Sequence, residues 1–568
     1  MTAISPEAVE EYRKRLEQAF NGTLEDDRNF DAYQKTALEF YSHFPSFSRW
    51  RVVDYKTDQV IRSPSLKRTI CYLDAPDDDL AQKMIDQGRA ASRIFAEELS
   101  LEERLEFLHI FKDKVDVYKT AIALAINIDS SKPIDGAMQE MEKGDEWFDY
   151  TFQFAPTVLA PHEVILETAK GPIAQTTYQN PKGVVQTLSA YNYPAALGLA
   201  AIVPSLASGN APIVFGAAKS PSWIFPFMSA ASDAMDEFLH RASNQNKPWT
   251  QELAKNRDGL IQIATGVHIP APNSNVAPLT QQADFTHFVG GPIVGKIIAQ
   301  QRLMKPSVFE LGGLNVAVVM DSALDVEGVE PEVKEQEISG ILYENVVPLA
   351  GQRCTAPRLM IYEAGARGVV DRLGDLFVNA KLDTGNPHSR GVKSGPVVDG
   401  NANKAIEKAM EVADEVGATV YCYHNDRSLK DTSRVMIDWS KVDYSKPGVR
   451  EKVDAILHNE IFGPILHIAQ KISGIKEAIN FTRKYDTEGL VGTIFAVPED
   501  AQLYVDHVEV ANVSIKGPTK DASPQGPHGN WDQAKVGGEN GIGLLLYCNP
   551  HVSRELAPKP KMSGAVPS

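Results

Sequence analysis

Residues 183–215 read GVVQTLSAYNYPAALGLAAIVPSLASGNAPIVF, and this stretch decides the fold class. Residues 183–188 form a short apolar run that predicts a buried strand, residues 195–207 predict a helix, and residues 211–215 predict a second strand. The order strand, helix, strand is typical of a βαβ unit with parallel strands. The long apolar stretch is interrupted by Pro204, Gly209 and Pro212, so it does not predict a membrane span.

The same alternation continues on both sides of this stretch. Downstream, the sequence predicts a helix over 221–241, strands over 260–264 and 284–289, and a helix over 293–302. Upstream, residues 78–143 carry apolar side chains at helical spacing. A second α/β block begins at Phe309, with strands near 316–320, 358–362 and 492–496. We therefore expect an α/β fold in which helices cover both faces of parallel sheets.

Composition limits the class of protein and its partners. The chain has 568 residues, 43% of them hydrophobic and 23% charged, which predicts a soluble multidomain protein. A net charge of -17 argues against nucleic acid as a partner. The four cysteines are far apart, so neither a disulfide framework nor a zinc site is indicated. Residues 1–20 have no apolar core of a secretory signal, and we expect the cytoplasm and no membrane partner.

Candidate catalytic residues lie in four short motifs. Cys354 stands in GQRCTA (351–356), a polar turn that begins with glycine and presents a thiol. In isolation such a cysteine is more often packed as a small hydrophobic residue. The other three motifs are FELGG (309–313) with Glu310, AYNYP (190–194) with Asn192, and NEIFGP (459–464) with Glu460.

In their order along the chain, these four motifs resemble those of the aldehyde dehydrogenase superfamily, P-W-N-F-P, E-L-G-G-K, G-Q-x-C and E-x-F-G-P. The resemblance runs from about 181 to 555. It implies a Rossmann-type parallel-sheet cofactor domain, an α/β catalytic domain and a small β flap for oligomerisation. We expect residues 1–158 to form an N-terminal wrap and the helices of the cofactor domain, and residues 159–180 and 540–555 to form oligomerisation strands. The dinucleotide-binding domain is expected over 181–308 and the catalytic domain over 309–515. Residues 516–568 are expected to form a segment that closes the substrate site.

The resemblance also implies roles for the catalytic residues. Cys354 would attack the aldehyde carbon, because a thiolate adduct gives the oxygen that expels hydride. The Asn192 amide and the Cys354 backbone N–H would stabilise the oxyanion. Glu310 would activate water to release the acid, which favours hydrolysis over transfer to coenzyme A. Asn192 alone could be a turn residue before Pro194, and Glu310 alone a surface residue at a strand end.

A cofactor site is expected at GGPIVG (290–295), between a strand and a helix. The spacing Gly290, Gly291, Gly295 alone indicates only a tight turn, but the resemblance matches it to the turn F-T-G-S-x-x-x-G at the cofactor phosphates. It further implies that Glu460 holds the nicotinamide ribose, with Phe462 beside the ring, and that Tyr191 and Leu311 line the pocket.

The choice between NAD and NADP stays open, because the positions of the family's Lys and Glu are occupied by Phe215 and Ala218. Lys219 could replace the missing contact, or could be an exposed lysine before the next helix. Gly291 stands where the family usually has Ser, and Leu314 where it has Lys.

The C-terminal segment 527–555 is most similar to that of Δ1-pyrroline-5-carboxylate (glutamate semialdehyde) dehydrogenases. Several positions depart from that subfamily. Ala534 and Val536 differ from its D-K-P-G-G motif, Thr355 follows the cysteine in place of Ser, and Lys520 begins the loop that should bind the substrate's α-carboxylate. The alternatives are therefore an NAD(P)-dependent dehydrogenase of another small-molecule aldehyde, that semialdehyde dehydrogenase of proline catabolism, or an inactive homologue acting as a scaffold. A homodimer or a dimer of dimers is expected, and residues 326–338, with five glutamates, are expected to form a surface insertion.

Overall fold

The fold is built from parallel sheets and the helices that cover them. The computed structural model describes residues 4–556 apart from 22–26, 47–50, 53–58, 64–67, 74–77, 170, 218, 265–277, 381–383, 424–433, 521–522 and 534. Within these ranges, twenty strands form five sheets. The strands are β1 Arg51–Val52, β2 Gln59–Ser63, β3 Arg68–Leu73, β4 His162–Thr168, β5 Gly171–Pro181, β6 Val184–Leu188, β7 Ala211–Phe215, β8 Gln262–Ala264, β9 Phe285–Gly290, β10 Ser307–Leu311, β11 Ala317–Val319, β12 Leu359–Glu363, β13 Thr419–Cys422, β14 Val435–Asp438, β15 Ile465–Ile472, β16 Val491–Phe495, β17 Asn512–Ile515, β18 Pro527–His528, β19 Val536–Gly537 and β20 Cys548–Leu556.

Helices alternate with these strands. They span Pro6–Asn21, Asp27–Ser42, Asp78–Glu97, Leu101–Ser130, Ile134–Val158, Pro194–Ala207, Ile224–Asn244, Thr250–Leu260, Pro278–Gln282, Pro292–Arg302, Pro331–Val346, Arg367–Asn379, Gly400–Val416, Val449–Leu457, Ile475–Tyr485 and Pro498–His507. No helix within the described ranges is both long and apolar enough to cross a lipid bilayer.

The first large sheet confirms the βαβ prediction. Its strand order is β10-β9-β6-β7-β8, and every neighbouring pair is parallel. Strands β6, β7 and β8 are buried along their whole length, as expected for a sheet covered on both faces. Parallel strands end at the same edge of the sheet, so the turns after β6, β9 and β10 lie together there. These turns carry Asn192, Gly291 and Gly312.

The second large sheet has the order β13-β14-β15-β12-β11-β16-β17. Its strands are parallel except for β13, which runs antiparallel to β14 at one edge. The predicted strands near 316–320, 358–362 and 492–496 are present as β11, β12 and β16. The turn that carries Cys354 leads into β12, and the turn that carries Glu460 leads into β15.

A smaller antiparallel sheet has the order β20-β5-β4. It contains the two segments predicted as oligomerisation strands, but the prediction of strand over 540–547 is wrong. Residues Glu539–Tyr547 form 3₁₀ turns, and the strand begins at Cys548. Left-handed backbone at Asn540 (φ 57°) and Gly541 (φ 76°) is the physical reason, because it turns the chain away from the extended conformation.

The N-terminal helices belong to the main core. Leu16, Phe40, Tyr41 and Phe44 are buried in the same apolar cluster as the helices over 101–158.

The acidic segment 326–338 lies mostly at the surface. Its second half is the first half of the helix Pro331–Val346. Glu335 in that helix pairs with Arg372 of the next helix, with 2.9 Å between Nε and Oε2.

Candidate active site

The Cys354 loop is held in an unusual backbone path. Leu349 and Ala350 have left-handed dihedrals (φ 58° and 54°), and Gly351 follows with φ 65°. A side chain at Gly351 would collide with the carbonyl of Gly463, so glycine is required there. The non-glycine residues in the left-handed region store strain, which the surrounding contacts must offset.

Two side chains from other parts of the chain fix the position of the Cys354 loop. The Asn315 amide donates from Nδ2 to the carbonyl oxygens of Cys354 (2.5 Å) and Ala356 (2.9 Å). The Thr519 hydroxyl donates to the carbonyl of Thr355 at 2.6 Å. Sequence reasoning missed Asn315 and Thr519, because they are far from the loop along the chain and carry no motif of their own.

A fully buried arginine joins the Cys354 loop to the turn that carries Glu460. The Arg358 guanidinium donates to the carbonyls of Gly351 (2.8 Å), Arg353 (3.0 Å) and Gly463 (2.9 Å). Gly463 belongs to the turn that follows Glu460. One side chain therefore orients both segments, and it was also missed from the sequence.

Three buried polar atoms of the predicted catalytic and ribose-binding residues have no hydrogen-bond partner among the described residues. They are Nδ2 of Asn192, Oε2 of Glu310 and Oε1 of Glu460. A buried donor or acceptor without a partner costs about 1–3 kcal/mol, so native proteins keep few of them and keep them for a reason. The pattern of one free donor and two free acceptors is that of a site prepared for a polar ligand.

The Cys354 thiol lies in a narrow, partly accessible site. Burial raises the pKa of the thiol to about 12, and the negative charges of Glu310 and Glu460 add to this increase. The thiol is therefore neutral at pH 7. It becomes a nucleophile when a base accepts its proton or when a positive charge is brought close to it.

Glu310 lies on β10 between two histidines. Its Oε1 is 3.3 Å from Nε2 of His287, and its Oε2 is 3.5 Å from Nε2 of His528. Burial acts to raise the pKa of Glu310, but the interaction with His287 and the charge of His528 outweigh it, so that the pKa lies below its usual value. The carboxyl group is therefore ionised and can accept a proton.

At Glu460, in contrast, burial outweighs the effect of the nearby positive charge on the pKa. Burial raises the pKa of its carboxyl group to about 7, although the charge of Arg358 lowers it. The carboxyl group lies against Gly312, where any side chain would occupy the same space. The turn after β10, which contains Gly312, thus allows Glu460 to approach the end of that strand.

The aromatic residues predicted for the cofactor pocket are together. Tyr191 and Phe462 meet edge to face with ring centroids 6.0 Å apart. The Tyr191 hydroxyl donates to Oε1 of Gln352 at 3.0 Å, which connects it to the Cys354 loop. A small pocket lies beside Tyr191, Asn192 and Gln352.

The glycine turn after β9 has two glycines that fill packing roles and one that faces open space. A side chain at Gly290 would meet the Phe288 ring, and one at Gly295 would meet Leu311. A Cβ atom at Gly291 would have no atom of the described residues within 4 Å. Gly291 precedes the helix Pro292–Arg302, whose first turn has backbone N–H groups free for an anion.

Leu311 is placed by a buried asparagine. Asn530 accepts a hydrogen bond from the Leu311 N–H at 2.6 Å and donates to the carbonyls of Leu311 (3.3 Å) and Gly312 (3.2 Å). The Leu311 side chain packs in an apolar cluster. Asn530 is thus another residue that supports the site and carried no signal in the sequence.

The choice between NAD and NADP was left open by Phe215, Ala218 and Lys219. Ala218 lies outside the described residues, and the surroundings of the other two are as follows. Phe215 is only 2% exposed and belongs to an apolar cluster, so its ring offers no contact to a ligand. Lys219 is half-exposed and pairs with Asp399 at 2.5 Å, and its ammonium lies 5.0 Å from the centre of the Tyr191 ring.

Together these groups can perform acyl chemistry. A thiol, an amide donor and carboxyl groups are the groups that acyl chemistry requires, and Glu310 and Glu460 lie close enough to Cys354 for their charges to raise the pKa of its thiol. A helix N-terminus offers a contact for a phosphate group. The roles expected of Cys354, Asn192, Glu310 and Glu460 stay predictions.

Comparison with known proteins identifies a family and similar folds. The model of the aldehyde dehydrogenase family matches residues 50–551. An NADP-dependent glyceraldehyde-3-phosphate dehydrogenase of Triticum aestivum is 25% identical over 483 residues, which cover 84% of this chain and 87% of that protein. A chloroplastic betaine aldehyde dehydrogenase of Beta vulgaris is 26% identical over 403 residues, or 69% of this chain and 71% of that protein. The crystal structure of a betaine aldehyde dehydrogenase from Staphylococcus aureus in complex with NAD+ superposes with a TM-score of 0.73 at 19% identity, covering 94% of this chain and 99% of that one.

Proposed function

This chain belongs to the aldehyde dehydrogenase family, and we propose that it oxidises an aldehyde to a carboxylic acid with NAD or NADP, using Cys354 as the nucleophile. The observation that carries the proposal is the set of three unpartnered atoms on Asn192, Glu310 and Glu460 among the described residues. Each is of the type that one stage of this reaction needs.

In the first stage, a base, for which the ionised Glu310 is available, accepts the thiol proton of Cys354, and the sulfur adds to the aldehyde carbon. The aldehyde oxygen becomes an oxyanion, and the free Nδ2 of Asn192 and the Cys354 backbone N–H donate hydrogen bonds to it. One such donor stabilises the transition state by about 3 kcal/mol. Because Asn315 holds the Cys354 carbonyl, the thiol and its own backbone N–H keep a fixed relation to Asn192.

In the second stage, the acyl group on Cys354 is hydrolysed. Glu310 accepts a proton from the attacking water, for which its carboxyl group must be ionised. The lowered pKa of Glu310 supports this role. The product is a free carboxylic acid.

The nucleotide, when bound, supplies the acceptor for the hydride that leaves the adduct on Cys354. The residues present fit such a group. The free Oε1 of Glu460 would accept from ribose hydroxyls, Phe462 and Tyr191 would line the ring pocket, and the open space beside Gly291 and the helix N-terminus would accommodate a phosphate. Gly290, Gly295 and Leu311 would shape that turn by packing.

The substrate class and the compartment remain narrower hypotheses. The C-terminal motif favours glutamate semialdehyde, whereas the relatives compared above are named for glyceraldehyde 3-phosphate and betaine aldehyde. We retain oxidation of a semialdehyde as the first substrate class to test. For the compartment we retain the cytoplasm, although the Beta vulgaris relative is described as chloroplastic.

A dimer or a dimer of dimers is proposed through the sheet β20-β5-β4. Strand β4 lies at its edge and exposes most of its residues, including Ile165 and Leu166. An exposed apolar edge strand is a typical site for pairing with a second copy of the chain. Analytical ultracentrifugation tests this: a monomer at micromolar concentration would refute it.

The function is tested by calorimetric titration with NAD and, separately, with NADP, followed by an aldehyde screen that monitors the reduced nicotinamide. We expect one nucleotide to bind and at least one aldehyde to be oxidised. The variant Cys354→Ser should bind the nucleotide equally well and oxidise nothing. If neither nucleotide binds, the inactive-homologue hypothesis becomes the better one.

A further inference from the structure

The surroundings of Glu310 contain more proton-carrying groups than a lone general base requires. His287 approaches one carboxylate oxygen from β9, and His528 approaches the other from β18. Behind His287 lies the hydroxyl of Tyr547, 2.8 Å from Nδ1. Together these four residues form a chain that runs from the buried Tyr547 through Glu310 to His528.

The inner half of the chain has a defined direction. His287 of β9 lies opposite Val308 of β10, and Glu310 is two residues after Val308 on β10. The side chains of His287 and Glu310 therefore project from the same face of the sheet. The Tyr547 hydroxyl has two possible acceptors, Nδ1 of His287 at 2.8 Å and the carbonyl of Ala200 at 3.4 Å. The shorter contact is much the stronger hydrogen bond. In the tautomer in which Tyr547 donates to Nδ1, the ring proton of His287 is on Nε2, 3.3 Å from Oε1 of Glu310, and no described residue makes a hydrogen bond to Nε2.

Tyr547 keeps this direction over the working pH range. Burial, followed by the charge of Glu310, raises the pKa of its hydroxyl well above the ordinary value. The phenol therefore remains a donor. The side chains of His287 and Glu310 are also almost wholly buried, at 1% and 3% exposure, so no bulk water competes for these contacts.

The outer half of the chain reaches solvent. The His528 side chain is 17% exposed, whereas Glu310 is closed off. His528 pairs with Val536 across the hairpin of β18 and β19, and Val536 packs in the same apolar cluster as Tyr547. The hairpin thus fixes His528 beside Oε2 of Glu310, the oxygen that no hydrogen bond from the described residues reaches.

We propose that His528 is the group through which Glu310 returns its proton to solvent, while His287, oriented by Tyr547, holds the carboxylate in position. This inference rests on the proposed function. During hydrolysis, one O–H bond of water breaks, its proton passes to Oε2 of Glu310, the water oxygen bonds to the thioester carbon, and the C–S bond breaks. The thiolate of Cys354 takes the proton of the new carboxylic acid, which leaves as its carboxylate. His528 gives a proton to water, which leaves a lone pair on Nε2, and the proton on Oε2 then passes to that lone pair and restores the imidazolium.

The test uses p-nitrophenyl acetate, which acylates a reactive thiol without a nucleotide or an aldehyde. The initial burst of p-nitrophenolate measures acylation of Cys354, and the steady slope after it measures hydrolysis of the acyl enzyme. We expect His528→Gln to keep the burst and to lower the slope about tenfold or more, because proton transfer by a positioned group typically contributes at least that factor. Imidazole in the buffer should restore the slope of His528→Ala.

Two further variants separate the roles. Tyr547→Phe preserves the ring packing and removes only the hydroxyl, so we expect it to lower the slope without rescue by imidazole. His507→Gln is the matched control, since His507 is exposed at the end of the helix Pro498–His507, and it should change neither phase.

The outcomes are distinguishable. A burst that persists in Cys354→Ser would sink the proposed function itself. An unchanged slope in His528→Gln, with a normal wild-type burst, would overturn only the proton-exit role. Loss of both the burst and the slope in His528→Gln would show that His528 supports the folded site rather than proton exit, and would overturn that role as well.

Discussion

Asn315 offers the sharpest test of how the nucleophile is held. Its amide makes two hydrogen bonds to the Cys354 loop, and its backbone is left-handed, with φ 51°. Asn315→Ala removes both hydrogen bonds, together with the weaker one that Oδ1 accepts from the Val491 N–H at 3.4 Å, and places alanine in the left-handed region. Asn315→Gly removes the same hydrogen bonds but relieves the backbone.

The magnitude follows from these contacts. Two hydrogen bonds contribute about 1 kcal/mol each, and the carbonyls left without a donor bring the total cost to about 2–4 kcal/mol. The left-handed backbone adds roughly 1 kcal/mol for alanine but not for glycine. For a domain of 150–250 residues, each kcal/mol lowers Tm by about 2–4 °C. We therefore expect Asn315→Ala to lower Tm by roughly 6–20 °C and Asn315→Gly by a few degrees less.

The matched control is Asn246, an exposed asparagine with the same left-handed backbone (φ 55°). Asn246→Ala should lower Tm by only about 2–4 °C, from the backbone effect alone. Differential scanning calorimetry measures these shifts, and the p-nitrophenyl acetate burst measures the thiol. A misplaced thiol reacts more slowly, by about a hundredfold for a displacement near 1 Å. A Tm for Asn315→Ala no lower than that of Asn246→Ala, with an unchanged burst rate, would refute this explanation of the loop.

Three other predictions concern Glu460 and Asn192. Nucleotide binding should strengthen as pH rises through about 7, because the raised pKa of Glu460 means that its hydroxyl-accepting carboxylate form becomes dominant only above that value. Calorimetric titrations between pH 6 and pH 8 measure this, and the same pH step in Glu460→Gln would contradict it. The same raised pKa means that this group's contribution to stability, present below its unfolded pKa near 4.5, is lost as pH rises through about 7. Asn192→Ala should slow acylation by roughly a hundredfold with little change in Tm, because its amide Nδ2 has no partner to lose among the described residues; an unchanged burst rate would remove Asn192 from the oxyanion site.

The elements that the sequence predicted well are those defined by local patterns. The strand 211–215 and the helix 195–207 came from runs of apolar residues whose length and spacing reflect burial on both faces. The four motifs located Cys354 and Glu310 because such short strings combine a reactive side chain with the glycines that surround it.

What the sequence did not predict depends on contacts between distant segments. His287 and His528 are far apart along the chain, and only the adjacent strands and the C-terminal hairpin bring both to Glu310. Arg358 is part of no motif, since its role arises from the three carbonyls around it. The apolar run Leu544-Leu545-Leu546 resembled a strand, but Gly541 packs so closely on Phe154 that the chain coils there instead.

Arg358 has a consequence beyond packing. Its guanidinium hydrogen-bonds to the Cys354 loop and to the turn after Glu460 at once, so a shift of one segment strains its contacts with the other. The part of the site proposed to bind the nucleotide and the part proposed to attack the aldehyde are therefore coupled through one buried side chain. Communication between two ligands through such an element is reciprocal, so whatever the nucleotide does to the affinity for the aldehyde, the aldehyde does to the affinity for the nucleotide in equal measure.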